Sequence, residues 1–329
     1  MEKITILGAG AWGSSIANTI SQNCDNIILW SNKENVVDEI NKQHTNNKYI
    51  VNGGCLNTKI KAEFTLEKAV ENASIIYIVL PSFAVEETID KIANFKCNFN
   101  KKFVVCTKGI NAKSNDFFSD LISRKFNNKA KIAILSGPNF AEEVYNKIPT
   151  ITTVATDDKE FFEEIKKTIS CDFFKVEYFD DMKAVQLCGL VKNITAIICG
   201  IAEGLSLGRN THAGIVLKGI KEIEKLCGVL NCNKKVITTS AGIGDLVLTC
   251  SSLKSRNMNF GYKIGFGENI KKIIENSDTT IEGLLNAKSL SKLDEKYNIQ
   301  NSLSAVLLDI IDNNYTQLEL RQIIVDLIE

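Results

Sequence analysis

Ile4-Thr5-Ile6-Leu7-Gly8-Ala9-Gly10-Ala11-Trp12-Gly13 is the stretch that decides the fold. Its first four residues form a β-rich run, and the next six match G-x-G-x-x-G. Residues 13–21 continue with helical spacing, so the glycines stand where a strand hands over to a helix. That context matters more than the string. Gly8 permits a tight turn, Gly10 has no Cβ to hold a pyrophosphate off, and Gly13 lets the helix pack close to the sheet. The start of the helix then turns its free N–H groups and its positive dipole end toward phosphate. The expectation is a dinucleotide-binding turn at residues 8–13.

Working outward, short apolar runs alternate with helical patterns. Further strands are expected at 27–30, 75–80, 103–107 and 132–135, the last closed by Gly137-Pro138. Runs that are apolar on both faces, with helices between them, indicate a parallel sheet in an α/β layer fold, here a Rossmann-like doubly wound sheet, mostly parallel. Near Tyr178 the texture changes. Residues 181–203 are apolar on almost every side, as in a helix buried inside a helical domain. Helical patterns follow at 212–227, 233–247, 256–265, 281–297 and 301–328. The expected organisation is a dinucleotide-binding domain over 1–179 and an all-helical substrate and catalytic domain over 180–329.

The 329 residues carry 39 basic and 39 acidic side chains. A net charge of zero argues against a nucleic-acid partner, while one or two placed cations suffice for a small anionic substrate. There are ten cysteines but no C-x-x-C. Those at 24, 106, 188 and 199 sit in apolar stretches, and no metal site is expected. The chain enters a strand at once, without signal-peptide features, and its longest apolar runs are too short for a bilayer. The expectation is a cytoplasmic protein with no membrane insertion. The polar stretch 41–57 is rich in Asn and is assigned no role.

The second strand ends Trp30-Ser31-Asn32-Lys33. An NAD-selective site places an acid there for the ribose hydroxyls. None is present, and Glu34 comes slightly late. Lys33 could accept a 2′-phosphate or be a solvated surface lysine. In the helical half, Lys192 lies in the middle of the long apolar helix. Its face is shared by Val185, Gly189, Ala196 and Cys199, three of which are small. A buried ammonium needs a partner, a ligand or a lowered pKa, and a lysine of lowered pKa suits general acid–base work. A lysine snorkelling to solvent is the alternative, and periodicity leaves both open. The two histidines, His44 and His212, have no nearby acid and read as surface or capping residues, which disfavours a His–Asp dehydrogenase. Ser255-Arg256-Asn257 precedes a helical pattern, offering a guanidinium and a helix start to a phosphate, although a solvated arginine looks the same in sequence.

Taken together, the chain resembles bacterial NAD(P)-dependent glycerol-3-phosphate dehydrogenase nearly end to end. The strings that carry the resemblance begin with Gly8-Ala9-Gly10-Ala11-Trp12-Gly13, Leu80-Pro81-Ser82, Thr107-Lys108-Gly109-Ile110 and Leu135-Ser136-Gly137-Pro138-Asn139-Phe140-Ala141. They continue with Leu190-Val191-Lys192-Asn193, Gly204-Leu205, Gly208, Asn210-Thr211, Gly242-Ile243-Gly244-Asp245-Leu246, Ser255-Arg256-Asn257 and Ile281-Glu282-Gly283. The resemblance implies an oxidoreductase that reduces dihydroxyacetone phosphate with NADH or NADPH, giving sn-glycerol 3-phosphate for glycerophospholipid synthesis. Lys192 would exchange the proton at the substrate C2 oxygen. Lys108 and Asp245 would hold the substrate and orient that lysine, with Asn193 and Thr249 lining the same pocket. Ser255, Arg256 and Asn257 would bind near the phosphate, and Gly137 and Asn139 would lie at the substrate. The dinucleotide would be held by the glycine turn (Gly8, Gly10, Ala11, Trp12, Gly13), by Ser31, Asn32 and Lys33, and by Lys108, Ala141, Arg256, Ile281 and Glu282.

Two departures stand out. Relatives often carry arginine where this chain has Ser31-Asn32, which opens the choice between NAD and NADP. Many also have a Leu-Pro pair after the tyrosine of the following loop, where this chain has Tyr49-Ile50-Val51. Two other readings are kept. One is a lysine-dependent dehydrogenase of the 3-hydroxyacid or 6-phosphogluconate type, against which Ala196 stands where that type places Asn. The other is a non-catalytic dinucleotide sensor. A homodimer is kept as the assembly, without a sequence feature to decide it.

Overall fold

β1 (Ile4–Leu7) is buried at every position and sits in the interior of the sheet, which explains its unbroken run of large aliphatic and β-branched side chains. In the computed structural model, residues 2–50, 54–95, 101–277, 281–300 and 302–329 are described. They divide into two compact units. The first is residues 1–107 with 117–182, and the second is Lys108–Asp116 with Lys183–Glu329.

The first unit is an eight-stranded sheet in the order β3-β2-β1-β4-β5-β6-β7-β8. The strands are β2 (Ile27–Trp30), β3 (Ile60–Glu63), β4 (Ile75–Ile78), β5 (Lys102–Val105), β6 (Lys131–Ser136), β7 (Thr150–Ala155) and β8 (Phe174–Phe179). Neighbours are parallel except β6 and β7. The doubly wound, mostly parallel sheet is therefore present as expected. Strands β3, β7 and β8 were not expected. β3 alternates buried Ile60 and Ala62 with exposed Lys61, the pattern of an edge strand with one covered face. β7 is Thr-rich, and its polar sequence hides the buried run Thr152–Thr156. The chain leaves β1 in one direction toward β2 and β3, and later in the other toward β4. Ligands of such sheets bind at this reversal, beyond the carboxyl ends of the strands. The glycine turn sits there: a Cβ on Gly8 would lie 2.4 Å from the Val79 carbonyl oxygen just beyond β4, and Gly8 has φ +116°.

The second unit is helical. α8 (Met182–Gly204) is its central element and is buried from Ala184 to Ala202. Among the described residues it is the one helix long and apolar enough to cross a membrane, and its apolar stretch is buried inside the protein, as in core helices. α11 (Arg256–Phe266) crosses it backbone to backbone. A Cβ on Gly200 would stand 2.0 Å from the Met258 carbonyl oxygen, and one on Gly261 would stand 1.9 Å from that of Ile197. Glycines four apart on both helices, 200 and 204 against 261 and 265, make this seam, and no larger residue fits it.

Two of the expected helical patterns are corrected. The pattern at 233–247 is not one helix. A 3₁₀ turn at Lys234–Thr238 and a wide turn at Ser240–Gly244 lead into α10 (Asp245–Cys250), because Gly242 adopts a non-helical φ −79°, ψ −108°. The pattern at 301–328 is two helices, α14 (Leu303–Asp312) and α15 (Gln317–Ile328), with Asn301 itself outside the described residues. Thr316 and Glu319 form a reciprocal capping box that starts the second, a signal legible in the sequence. A short helix, α12 (Ile270–Glu275), was not expected at all. His212 is not at a helix start either. It is half-buried inside α9 (Gly208–Val229), and burial pushes its pKa down. His44 does cap a helix, in left-handed conformation at the end of α2 (Glu34–Gln43).

Candidate active site

In the first unit, α1 (Ala11–Ile20) begins directly after the turn, with Gly10 at its N-cap and no side chain capping it. A Cβ on Gly10 would meet nothing within 4 Å, whereas one on Gly13 would collide with the Gly8 carbonyl at 1.8 Å. The two glycines therefore do different work. Gly13 permits tight packing, and Gly10 leaves open space at an uncapped helix start. That space suits a pyrophosphate, whose charge the first-turn N–H groups can accept. The residues present fit a dinucleotide.

At the end of β2, Ser31 is buried and its hydroxyl accepts the Lys33 N–H at 3.2 Å. Asn32, Lys33 and Glu34 are exposed. The Lys33 ammonium donates to the Tyr49 hydroxyl at 3.0 Å and lies 5.7 Å from the ring centroid. Tyr49 thus anchors the one cation expected to read a 2′-phosphate. Residues 51–53 of the loop that follows Tyr49 lie outside the described residues. Ala141 opens α6 (Ala141–Tyr145), and its carbonyl accepts the Ser15 hydroxyl at 2.7 Å, tying that turn to α1. Gly137 and Asn139 both rest on Thr152 of β7. A Cβ on Gly137 would lie 2.8 Å from Thr152, and the Thr152 hydroxyl donates to Asn139 Oδ1 at 3.1 Å. Asn139 Nδ2 is buried without a partner among the described residues.

In the second unit the expected lysine has its partners. Lys192 Nζ donates to Asp245 Oδ1 at 2.8 Å and to Thr249 Oγ1 at 3.0 Å. The other oxygen of the same carboxylate, Oδ2, accepts Lys108 Nζ at 2.5 Å. Lys192 and Asp245 are almost fully buried, and the Lys108 side chain keeps 24% of its surface. Thr249 lies one turn beyond Asp245 on α10 and returns a hydrogen bond to its carbonyl at 2.6 Å. Gly189, a turn before Lys192, leaves the room that Lys108 occupies: a Cβ there would already touch Lys108 Cβ at 3.5 Å.

Two ammoniums therefore share one carboxylate, a buried cluster with one positive charge in excess. Burial pushes the Lys192 pKa down, Asp245 pulls it up, and the Lys108 charge pushes it down again, leaving it at about 7. Burial alone would raise the Asp245 pKa, but the charges of Lys108 and then Lys192 outweigh it and hold the carboxyl below its ordinary value. The cluster can exchange a proton near neutral pH, and its excess charge attracts an anion.

Asn193 and Asn257 are also brought together. Asn257 Nδ2 donates to Asn193 Oδ1 at 2.9 Å, and its Oδ1 accepts the Gly283 N–H at 3.0 Å. This links α8, α11 and the start of α13 (Glu282–Tyr297), where Ile281 is the N-cap and Glu282 the first residue. The Ser255 hydroxyl caps α11 by accepting the Met258 N–H. Arg256 is exposed and forms no ion pair among the described residues. It lines a cavity of about 520 Å³ together with Lys254, Lys263, Lys272 and Glu268. No bond joins Arg256 to the Lys192 cluster among the described residues. Likewise, no group of three or more metal-ligating side chains occurs among them.

Comparison with known proteins agrees with this geometry. The model of the NAD-dependent glycerol-3-phosphate dehydrogenase N-terminus matches residues 3–162, and that of its C-terminus matches residues 181–322. The chain belongs to the NAD-dependent glycerol-3-phosphate dehydrogenase family. It is 32% identical over its whole length to glycerol-3-phosphate dehydrogenase [NAD(P)+] of Staphylococcus aureus, covering 98% of that protein. The crystal structure of glycerol-3-phosphate dehydrogenase from Coxiella burnetii superposes with a TM-score of 0.92 at 32% identity, over 100% of this chain and 99% of that one. The Saccharomyces cerevisiae enzyme, at 24% identity and TM-score 0.83, shares the fold over 98% of this chain and 99% of that one.

Proposed function

We propose that this family member is an NAD(P)-dependent sn-glycerol-3-phosphate dehydrogenase that interconverts dihydroxyacetone phosphate and sn-glycerol 3-phosphate. The observation that carries the reading is the buried Lys108–Asp245–Lys192–Thr249 cluster. A dinucleotide held at the glycine turn, Gly8 to Gly13, would supply the hydride for reduction and take it back in oxidation. Lys192, titrating near 7, donates a proton to the substrate C2 oxygen during reduction and removes it during oxidation. Asp245 orients the Lys192 ammonium through Oδ1 and holds Lys108 through Oδ2. Thr249 fixes the remaining direction of the Lys192 head group. The excess positive charge favours the negative charge that grows on the substrate oxygen.

The other assignments are proposals on the same footing. Asn193 lines the substrate pocket, Ser255, Arg256 and Asn257 take the phosphate, and Gly137 and Asn139 meet the substrate. The glycine turn takes the pyrophosphate, Ser31, Asn32 and Lys33 take the adenosine ribose, and Ala141, Lys108, Arg256, Ile281 and Glu282 complete the dinucleotide contacts. We place the protein in the cytoplasm, where its product would feed phospholipid synthesis; the nine described cysteines, all free, support a reducing compartment.

Lys192→Ala tests the central role. Its kcat for dihydroxyacetone phosphate reduction should fall by about a hundredfold or more, the range for a lost general acid, with NADH binding by fluorescence titration unchanged. A variant keeping half the wild-type kcat would remove Lys192 from the chemistry.

A further inference from the structure

Asn46 belongs to the Asn-rich loop that the sequence reading left without a role, yet it is fully buried. Its Nδ2 spends both hydrogens on the dinucleotide turn. One goes to the Ala9 carbonyl oxygen at 2.9 Å, and the other to the Ser14 hydroxyl in the first turn of α1, also at 2.9 Å. Its own backbone is held in place from several directions. The Asn46 carbonyl accepts the N–H groups of Tyr49 and Ile50, at 2.9 and 2.8 Å. Glu39 Oε1 accepts from Thr45 Oγ1 and the Asn47 N–H on either side, at 2.8 and 2.7 Å. By contrast, Asn46 Oδ1 is buried with no partner among the described residues. Leaving an amide oxygen unpaired in the interior is costly, so the donor half of this side chain is the part that is used.

The donor acts on the peptide between Ala9 and Gly10. A trans peptide is planar, with its C=O and N–H pointing in opposite directions. Drawing the Ala9 oxygen inward to Asn46 sends the Gly10 N–H outward, on the residue whose missing Cβ leaves open space. If this peptide flipped, it would present a carbonyl oxygen to a phosphate instead of a donor. We propose that Asn46 is a positioning residue of the dinucleotide site, locking the Ala9–Gly10 peptide in the orientation that offers the Gly10 N–H to the pyrophosphate. The inference rests on the dinucleotide-binding reading above.

The test is binding, with ADP as the pyrophosphate probe and NADH as the full cofactor. Asn46→Asp keeps the shape and removes the donor, Asn46→Ala removes the side chain, and Ser14→Ala removes only the helix partner. Both Asn46 variants should bind ADP and NADH roughly tenfold or more weakly, as expected when a hydrogen bond to a charged group is lost. Their kcat at saturating NADH should stay within about twofold of wild type, because the hydrogen bonds of the Asn46 side chain go to the dinucleotide turn, which affects cofactor binding rather than the proton transfer. Ser14→Ala should bind ADP like wild type. Folded Asn46 variants with wild-type affinity would overturn the proposal, as would a Ser14→Ala loss equal to theirs. The ¹⁵N-labelled wild type gives a reading that does not depend on any variant folding: the Gly10 amide resonance should move on ADP addition, and an unmoved one also overturns the proposal. Failure of the wild type itself to bind NADH would count against the proposed function, so the two failures are distinguishable.

Discussion

The Lys192 cluster makes a prediction in which two substitutions act in opposite directions. Asp245→Asn removes the negative charge that holds Lys192 protonated, while Lys108→Met removes a positive charge that opposes it. An opposite charge at hydrogen-bond distance is worth about one to three pKa units. Starting from about 7, Asp245→Asn should therefore move Lys192 down by at least about one unit. At pH 7 the protonated fraction then falls from about one half to about a tenth, some fivefold, and each further unit costs about tenfold more. The assay is the pH dependence of kcat/KM for dihydroxyacetone phosphate reduction, which reports the free enzyme. Because Lys192 must be protonated to act as an acid, wild-type kcat/KM should decline above about pH 7. The limb should move to lower pH in Asp245→Asn and to higher pH in Lys108→Met, whatever either change does to KM. Limbs that stay in place, or move in the same direction, would refute the electrostatic account of the site. Asp245→Asn also leaves the Lys108 ammonium without its buried anion and Lys192 without its ion pair, so its Tm should drop while that of Lys108→Met changes less.

Arg256→Ala should raise KM for dihydroxyacetone phosphate by about ten- to a hundredfold, matching about 1.5–3 kcal/mol for a hydrogen bond to a charged group, with little effect on unphosphorylated dihydroxyacetone; equal losses would show that Arg256 does not read the phosphate. Lacking an acid at the end of β2, the enzyme should accept NADH and NADPH with a preference below about a hundredfold, and Lys33→Glu should weaken NADPH more than NADH, less so in added salt; a wild-type kcat/KM preference above about a thousandfold would reveal another selector. Glu222 on α9 is buried, with Oε1 unpaired among the described residues, and burial followed by the nearby Asp294 raises its pKa to about 7. The folded state then holds this proton more tightly than the unfolded chain, so the stability it contributes is full below about pH 4.5 and is lost as pH rises through about 7. Glu222→Gln should accordingly raise the Tm at pH 8, by up to about 3 kcal/mol of stability, and gain little at pH 5; an equal gain at both would show that Glu222 does not titrate this way.

Much of this protein is written locally in its chain. The run from Ile4 to Gly13 contains the strand, the turn and the helix start, because each depends on backbone geometry within a few residues. The apolar-all-round pattern of residues 184–202 carries its own burial, and Lys192 stands out within it by the cost of burying an ammonium. Elements whose signals are weak or conflicting escaped. β3 reads as polar, Gly242 breaks an otherwise helical pattern, and the capping box at Thr316 marks a boundary that periodicity passes over. Tertiary structure alone decided what the chemical groups meet. Asp245 lies 53 residues from Lys192 and 137 from Lys108, and only the folded chain puts both ammoniums on one carboxylate. The depressed pKa follows from that meeting and from burial, neither of which is a property of a lysine in sequence. Asn46, 37 residues from Ala9 in a stretch that reads as solvated, is the same lesson in the other unit. Helices and turns are fixed by interactions a few residues apart, whereas charge balance and peptide orientation at a site depend on contacts made by distant parts of the chain, and those exist only once the core has closed.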